Sequence, residues 1–157
     1  MDQKNKWLNS IPNEIGYYLV GFIDGEGSFN VSLRKKDYGA GWQISPVFNV
    51  SQRDETILSL MKRHLVCGSI RMRKDGVHYY EVTNLSSLRD KVIPFLNKFQ
   101  LLSSSKKKNF RIWKEIVEIM LAGSHNNPEG FNQILKLRET LNEGRGRKRK
   151  YNIGDVI

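Results

Sequence analysis

The sequence predicts an α+β protein in which helix, hairpin, helix and hairpin follow one another and further helices complete the chain. Three observations carry this. Residues 15–23 are apolar nearly all round, the apolar period then switches to two on either side of two separate turns, and the C-terminal half returns to helical spacing. A length of 157 residues suits one domain with a sizeable core. That domain is expected over residues 1–143, with a basic C-terminal tail over 144–157.

Each element has its own local signal. Pro12-Asn13-Glu14 is a helix-start signal, and the helix after it, Ile-Gly-Tyr-Tyr-Leu-Val-Gly-Phe-Ile, is expected to stop at Asp24-Gly25-Glu26-Gly27. So short a helix without a polar face must be buried on every side. From Ser28 onward, Phe29, Val31 and Leu33 alternate with Asn30, Ser32, Arg34 and Lys36 up to a turn at 37–41. Residues 42–52 continue the alternation, with Trp42, Ile44, Phe48 and Val50 on one face and Gln43, Ser45, Asn49 and Ser51 on the other, so the two strands read as a hairpin. Asp54 is placed to cap a helix through Ile57, Leu58, Met61 and Leu65 that ends near Cys67-Gly68. Ile70 and Met72, the turn Lys74-Asp75-Gly76, and Tyr80 and Val82 make the second hairpin. Helical patterns then run over 88–99, 107–121 and 129–141.

Charge narrows the function. Twenty-six Lys and Arg against sixteen Asp and Glu leave +10, which suits a polyanionic partner, nucleic acid first and an anionic membrane surface second. The tail contributes Arg145, Arg147, Lys148, Arg149 and Lys150 against Asp155, so the rest of the chain is basic as well. With no apolar periodicity, the tail is expected to track a phosphate backbone, or else to act as a targeting run. A lone cysteine, Cys67, excludes an internal disulfide and a cysteine-based zinc site. His64, His78 and His125 fall on three separate elements, which argues against a histidine metal site or general base. No apolar run approaches the roughly 18 residues of a membrane span, and the first residues lack a signal-peptide core. An intracellular protein with no membrane partner is expected, organellar and bacterial settings both remaining open.

Two groups of residues carry chemistry. The non-apolar strand faces hold Asn30, Ser32, Arg34, Lys36, Gln43, Ser45, Asn49, Arg71, Arg73, Tyr79, Glu81 and Thr83, with one acid among the twelve. Amides and arginines have the donor and acceptor geometry of base edges, which favours a β-surface laid in a DNA major groove over an ordinary solvated face. Asp24 and Glu26 place two carboxylates one residue apart at the end of an apolar helix. Such a pair either caps and solvates, or holds a cation; hard oxygens facing phosphate suit Mg²⁺.

The residues Leu19-Val-Gly-Phe-Ile-Asp-Gly-Glu-Gly27 resemble the signature of the LAGLIDADG homing endonucleases. The likeness continues through Ser28-Phe29, Val50-Ser51-Gln52, Gly68-Ser-Ile70, Pro94-Phe-Leu96 and Lys106-Lys-Lys-Asn-Phe110, so it covers residues 15 to about 125. The resemblance implies an αββαββα fold with a saddle-shaped antiparallel sheet and C-terminal helices. One motif in this sequence matches the homodimeric members, and by that likeness Leu19, Gly21, Phe22 and Asp24 lie at the dimer interface. The resemblance further implies that Glu26 and the Gly25 carbonyl bind the metal, Mg²⁺ with Mn²⁺ or Ca²⁺ as alternatives. It likewise implies that Gln52 organises the attacking water, that Lys106 lies near the scissile phosphate with Lys98 as the other choice, and that Asp24 caps or pairs near the dimer axis.

The implied function is cleavage of both strands of a long, near-palindromic double-stranded DNA site, with no small-molecule cofactor and with an intron or another mobile element as the source. Two departures stand out: the second acid is Glu where many members have Asp, and Asp54-Glu55-Thr56 replaces a basic residue that some members carry. The alternative is a maturase or regulator on the same fold that binds without cutting. Glu26, Gln52 and a nearby lysine present together favour the enzyme.

Overall fold

The computed structural model describes residues 3–37, 41–143 and 149–156. Its elements are α1 (Lys6–Asn9), α2 (Asn13–Glu26), β1 (Gly27–Lys35), β2 (Trp42–Gln52), α3 (Glu55–Leu65), β3 (Ser69–Met72), β4 (His78–Val82), α4 (Leu85–Ser87), α5 (Ile93–Phe99), α6 (Ser104–Leu121) and α7 (Pro128–Thr140). The strands form one antiparallel sheet in the order β1-β2-β4-β3. The expected succession of helices and hairpins is therefore the observed one. The chain divides into two compact units, Met1–Ser28 with Phe48–Lys106 and Phe29–Val47 with Lys107–Ile157.

In the first unit, α2, α3 and α5 bury Leu19, Ile23, Leu58, Met61, Leu65, Phe95 and Phe99 together with the inward strand residues Phe48, Val50, Tyr80 and Val82. The register explains the last four: Phe48 pairs with Val82 and Val50 with Tyr80, and directly opposed residues share a face. Tyr80 keeps its hydroxyl satisfied by donating to the Cys67 carbonyl at 2.8 Å. Burial holds both that phenol and the Cys67 thiol above their ordinary pKa values. Asp54 caps α3 as expected, accepting from the Thr56 amide at 2.8 Å.

The first helix ends within Asp24–Gly27 as expected, running through Glu26 to the extended Gly27 at φ −72° and ψ 156°. Two other expectations for this unit are corrected. Within a single chain the helix is not covered on every side, because Tyr17 and Tyr18 are each 61% exposed and Gly21 and Gly25 lie at the surface. The apolar composition hid an amphipathic arrangement in which the two phenols and the glycines occupy the uncovered stripe. The helical pattern at 88–99 is also broken into α4, a π-helical turn over Leu88–Val92, and α5. Pro94 accounts for the widened turn: it has no N–H to give the Asp90 carbonyl, and its ring crowds that carbonyl.

The second unit is built around Phe29, Val31 and Leu33 of β1, Ile44 of β2, Ile112, Trp113, Ile116 and Val117 of α6, and Ile134 and Leu135 of α7. Phe29 sits 5.2 Å from the Trp113 ring and 5.4 Å from Phe110. Its one buried charge among the described residues is Arg138, 4% exposed, which donates to the Val31 carbonyl at 2.6 Å and the Tyr151 carbonyl at 2.8 Å. Burial and the neighbouring Arg149 pull its pKa down. This changes the expectation of a tail standing apart over 144–157. Residues 144–148 lie outside the described residues, but 149–156 fold back: Arg149 donates to the Leu141 carbonyl and pairs with Glu139 at 3.6 Å, and the Ile153 amide reaches Glu139 at 2.8 Å. A desolvated guanidinium needs acceptors, and the returning backbone supplies one.

Helix α2 packs on α5 through Gly16, where an added Cβ would overlap the buried ring of Phe99. Glycine inside a helix ordinarily costs about 1 kcal/mol relative to alanine. Here the preference reverses. Gly16→Ala is expected to destabilise the protein by about 1–3 kcal/mol through overpacking, and Gly16→Ala with Phe99→Leu to recover part of that loss; urea midpoints of the two variants test the pair.

Candidate functional site

Residue 27 permits no side chain, because a Cβ there would stand 2.6 Å from the Ile23 carbonyl oxygen and 2.7 Å from the Ile23 side chain. Glycine lets α2 pass into β1 with no intervening loop, so the last helical turn delivers Asp24, Gly25 and Glu26 at a fixed point.

The two carboxylates meet different environments. Asp24 accepts from the Ser103 hydroxyl at 2.7 Å, the Ser103 amide at 3.0 Å and the Leu102 amide at 3.3 Å. Burial is the largest single influence on its pKa and pushes it upward. The Ser103 hydroxyl, the two amides and the charge of Lys106 together outweigh burial and hold it below the ordinary 3.8. Asp24 is thus a cap within its own chain, fastening the segment that enters α6. Glu26 is exposed. Lys106, in the first turn of α6, donates its ammonium to the Gly27 carbonyl. Lys98 points elsewhere, donating to the Leu8 carbonyl at 3.4 Å and lying over the Phe99 ring.

Among the described residues no group of three or more His, Cys, Asp or Glu side chains could hold a metal. One exposed carboxylate and a nearby carbonyl are hard oxygen donors, and they fit an ion that takes one or two protein carboxylates and completes its shell with water and phosphate. With its oxygens engaged by Ser103 and Leu102, Asp24 is not part of that donor set.

Gln52 belongs to a second cluster, at the end of β2. Its Oε1 accepts from the Arg53 amide at 2.8 Å, and it pairs in register with His78. Nδ1 of His78 bonds the Arg53 carbonyl at 2.9 Å, and its Nε2 stands 3.7 Å from Glu55. Strand parity sets Gln52 on the side of Val50 and Tyr80. The outward row is Asn49 and Ser51 with Tyr79 and Glu81.

The strand faces divide by unit. In the second unit Asn30, Ser32, Arg34 and Gln43 are exposed and Ser45 is half-buried. Asn142 ties Asn30 down by donating to its Oδ1 at 3.2 Å and to the Phe29 carbonyl at 2.8 Å. Lys36 follows the last residue of β1. In the first unit Asn49 faces Glu81, and Arg71 faces Tyr79. Ser69, opposite Glu81, extends this row; its period-two spacing with Arg71 is the signal by which the sequence could have shown it.

Three placements differ from expectation. Arg73 lies in the turn after β3, its guanidinium 3.1 and 3.4 Å from the Asp75 carboxylate, because that turn needs Asp75 to accept from the Val77 amide and so brings an anion within reach. Thr83 follows β4. Leu19, expected on a face shared with a second subunit, is wholly buried within its own unit. The uncovered stripe of α2 consists of Tyr17, Tyr18, Gly21, the half-buried Phe22 and Gly25.

Comparison with known proteins matches this geometry to a family. Residues 19–117 match the family model described as LAGLIDADG endonuclease. Probable intron-encoded endonuclease 2 of Neurospora crassa is 31% identical over 145 residues, 89% of this chain and 32% of that protein. The crystal structure of the homing endonuclease I-TnaI is similar with a TM-score of 0.76 and 28% identity, covering 86% of this chain and 90% of that one. A structure of I-SmaMI bound to its uncleaved DNA target in the presence of calcium ions is similar with a TM-score of 0.77 and 29% identity, covering 84% of this chain and 46% of that one. The chain therefore spans about a third of the Neurospora protein and under half of I-SmaMI.

Ser103→Ala should raise the Asp24 pKa toward 3.8 and lower stability by about 1 kcal/mol. Since the folded-state pKa is depressed, Asp24 contributes its full stability above 3.8 and loses it as the pH falls through the folded value. Carboxyl NMR titration and acid-unfolding curves of the wild type and Ser103→Ala check both statements; coincident acid limbs would show that the tether contributes nothing.

Proposed function

The chain belongs to the LAGLIDADG endonuclease family, and from that premise we propose that it is a site-specific homing endonuclease that, as a homodimer, cuts both strands of a long, near-palindromic duplex. The observation that supports this most is the division of labour at the end of α2: Asp24 is consumed by the Ser103 tether, Glu26 is left exposed, and Lys106 is drawn to the adjoining Gly27 carbonyl.

Glu26 and the Gly25 carbonyl would hold a divalent cation, Mg²⁺ or in its place Mn²⁺ or Ca²⁺, which supplies a Lewis acid for phosphodiester hydrolysis and lowers the pKa of bound water. Lys106, fixed by the Gly27 carbonyl, places an ammonium where it offsets charge developing on the scissile phosphate. With its Oε1 engaged by the Arg53 amide, Gln52 presents its NH₂ group to orient the attacking water. The amide, hydroxyl and arginine side chains on the strand faces supply base and phosphate contacts to DNA, a reading supported by the likeness to DNA-bound I-SmaMI.

A second copy completes the site. Each chain brings one Glu26, whereas cutting two strands calls for two. The α2 stripe has the shape for such pairing, since none of the described residues lies within 4 Å of a Cβ built at Gly21 or Gly25, one helical turn apart. Two such helices can approach closely along that stripe, and a two-fold dimer reads two related half-sites.

Glu26→Gln should remove cleavage while duplex binding stays within about twofold, because the change keeps size and deletes a ligand charge. A loss beyond the roughly 100-fold typical of an outer-shell metal partner is expected, read by sequencing cut ends from a library of DNA sites in Mg²⁺ and by anisotropy on an uncut duplex. Normal cutting by this variant would overturn the metal assignment. Gly21→Leu should yield monomer in sedimentation velocity, and a well-behaved dimer would refute the helix pairing.

A further inference from the structure

The second unit contains a cavity of about 320 Å³ for which the proposed endonuclease has no use. Trp42, Phe131 and Val156 form its apolar walls, and Asn126, Asn132 and His125 bring its polar groups. Local sequence builds it. Gly130 is buried in the first turn of α7, and a Cβ there would overlap the Ser124 carbonyl. Glycine at this position lets the 3-10 turn Ser124–Asn126 lie against α7, while Asn127 caps that helix by accepting from the Gly130 amide at 2.8 Å. The turn delivers His125 with Nδ1 buried and without a hydrogen-bond partner among the described residues. A buried polar nitrogen without a partner is unfavourable, and a modest turn of the ring toward a ligand in the cavity would satisfy it.

Trp42 also belongs to a basic rim. Lys35 Nζ lies 5.5 Å from the Trp42 ring centre and 5.7 Å from that of Tyr151, and Lys150 Nζ lies 5.3 Å from Tyr151. Both lysines are exposed. The rim is held in place, because Tyr151 meets Trp42 edge-on at 5.0 Å and its carbonyl is bound by the buried Arg138. Aromatic walls with amide and imidazole groups suit a flat heteroaromatic base, and two ammonium groups beside them suit the phosphate attached to it. A base stacked and paired within a duplex cannot enter such a cavity.

We propose that this cavity binds one unpaired nucleotide, as part of a single strand or free, with its base against Trp42 and Phe131, its edge on His125 and its phosphate at Lys35 and Lys150. The site is independent of the endonuclease reading. The test uses the full chain, with fluorescein-labelled single-stranded RNA and DNA of about 12 nucleotides and mixed sequence as probes and the four nucleoside monophosphates as competitors. Wild type should bind the strands, and both Lys35→Gln/Lys150→Gln and Phe131→Ala should weaken that binding roughly tenfold or more, as loss of one stacked base or its phosphate contacts implies. Melting curves should stay unchanged for the double lysine variant, whose side chains are exposed, and affinity for an uncut duplex should stay unchanged for Phe131→Ala, which lies outside the strand faces proposed to meet DNA.

Displacement by monophosphates identifies a free nucleotide as sufficient, while binding of strands alone identifies the strand as the ligand. Strand affinity equal in wild type and both variants, or absent in wild type for strands and monophosphates alike, overturns the proposal. A chain that cuts no duplex yet shows these losses refutes only the endonuclease reading.

Discussion

The constraint on which the rest depends is the absence of a side chain at residue 27. A helix that passes straight into a strand has no loop to absorb errors in direction. Its last turn and the first strand residue are thus set relative to one another by backbone geometry, and the Ile23 carbonyl crowds the space a Cβ would need. Glu26 inherits its position from that junction, and Lys106 is registered against it through the Gly27 carbonyl. A rigid backbone link of this kind is the support that the proposed metal- and phosphate-handling site would require.

Two carboxylates separated by one residue end in opposite roles because of what surrounds them. Asp24 turns toward the segment entering α6 and is satisfied by one hydroxyl and two amides, which favour its charged form despite burial. Glu26, two residues on, points to solvent. Helical geometry explains the divergence, since positions two apart on a helix face in different directions. The tether also serves the site: by fixing the entry to α6 it places Lys106, three residues after Ser103, where it can meet the end of α2.

The second unit obeys the same rule around Arg138. A buried guanidinium is tolerable only with acceptors, and it gathers a strand carbonyl and a carbonyl from the C-terminal segment. The basic run is therefore not uniform in meaning. Arg149 is engaged by Glu139 and the Leu141 carbonyl. Lys150 stays exposed above Tyr151, where it shares a rim with Lys35.

The sequence by itself determined the order of elements, because a change of apolar period from helical to two is a local property that survives any packing. It also determined the faces: Asn30, Ser32 and Arg34 opposite Phe29, Val31 and Leu33 follow from alternation alone. The motif at 19–27 marked the site for the same reason, being contiguous. Hydrogen-bond partners were decided by the folded backbone, most of them distant in sequence and one, Asp75 for Arg73, within a single turn. Ser103 for Asp24, Gly27 for Lys106 in preference to Lys98, Asp75 for Arg73, and Val31 and Tyr151 for Arg138 all depend on which hydrogen-bonding groups the packed backbone brings within about 3 Å. Leu19 and the tyrosines of α2 were likewise sorted into core and surface by the elements packed against them, since composition shows that a helix is apolar but not which of its faces a neighbour covers.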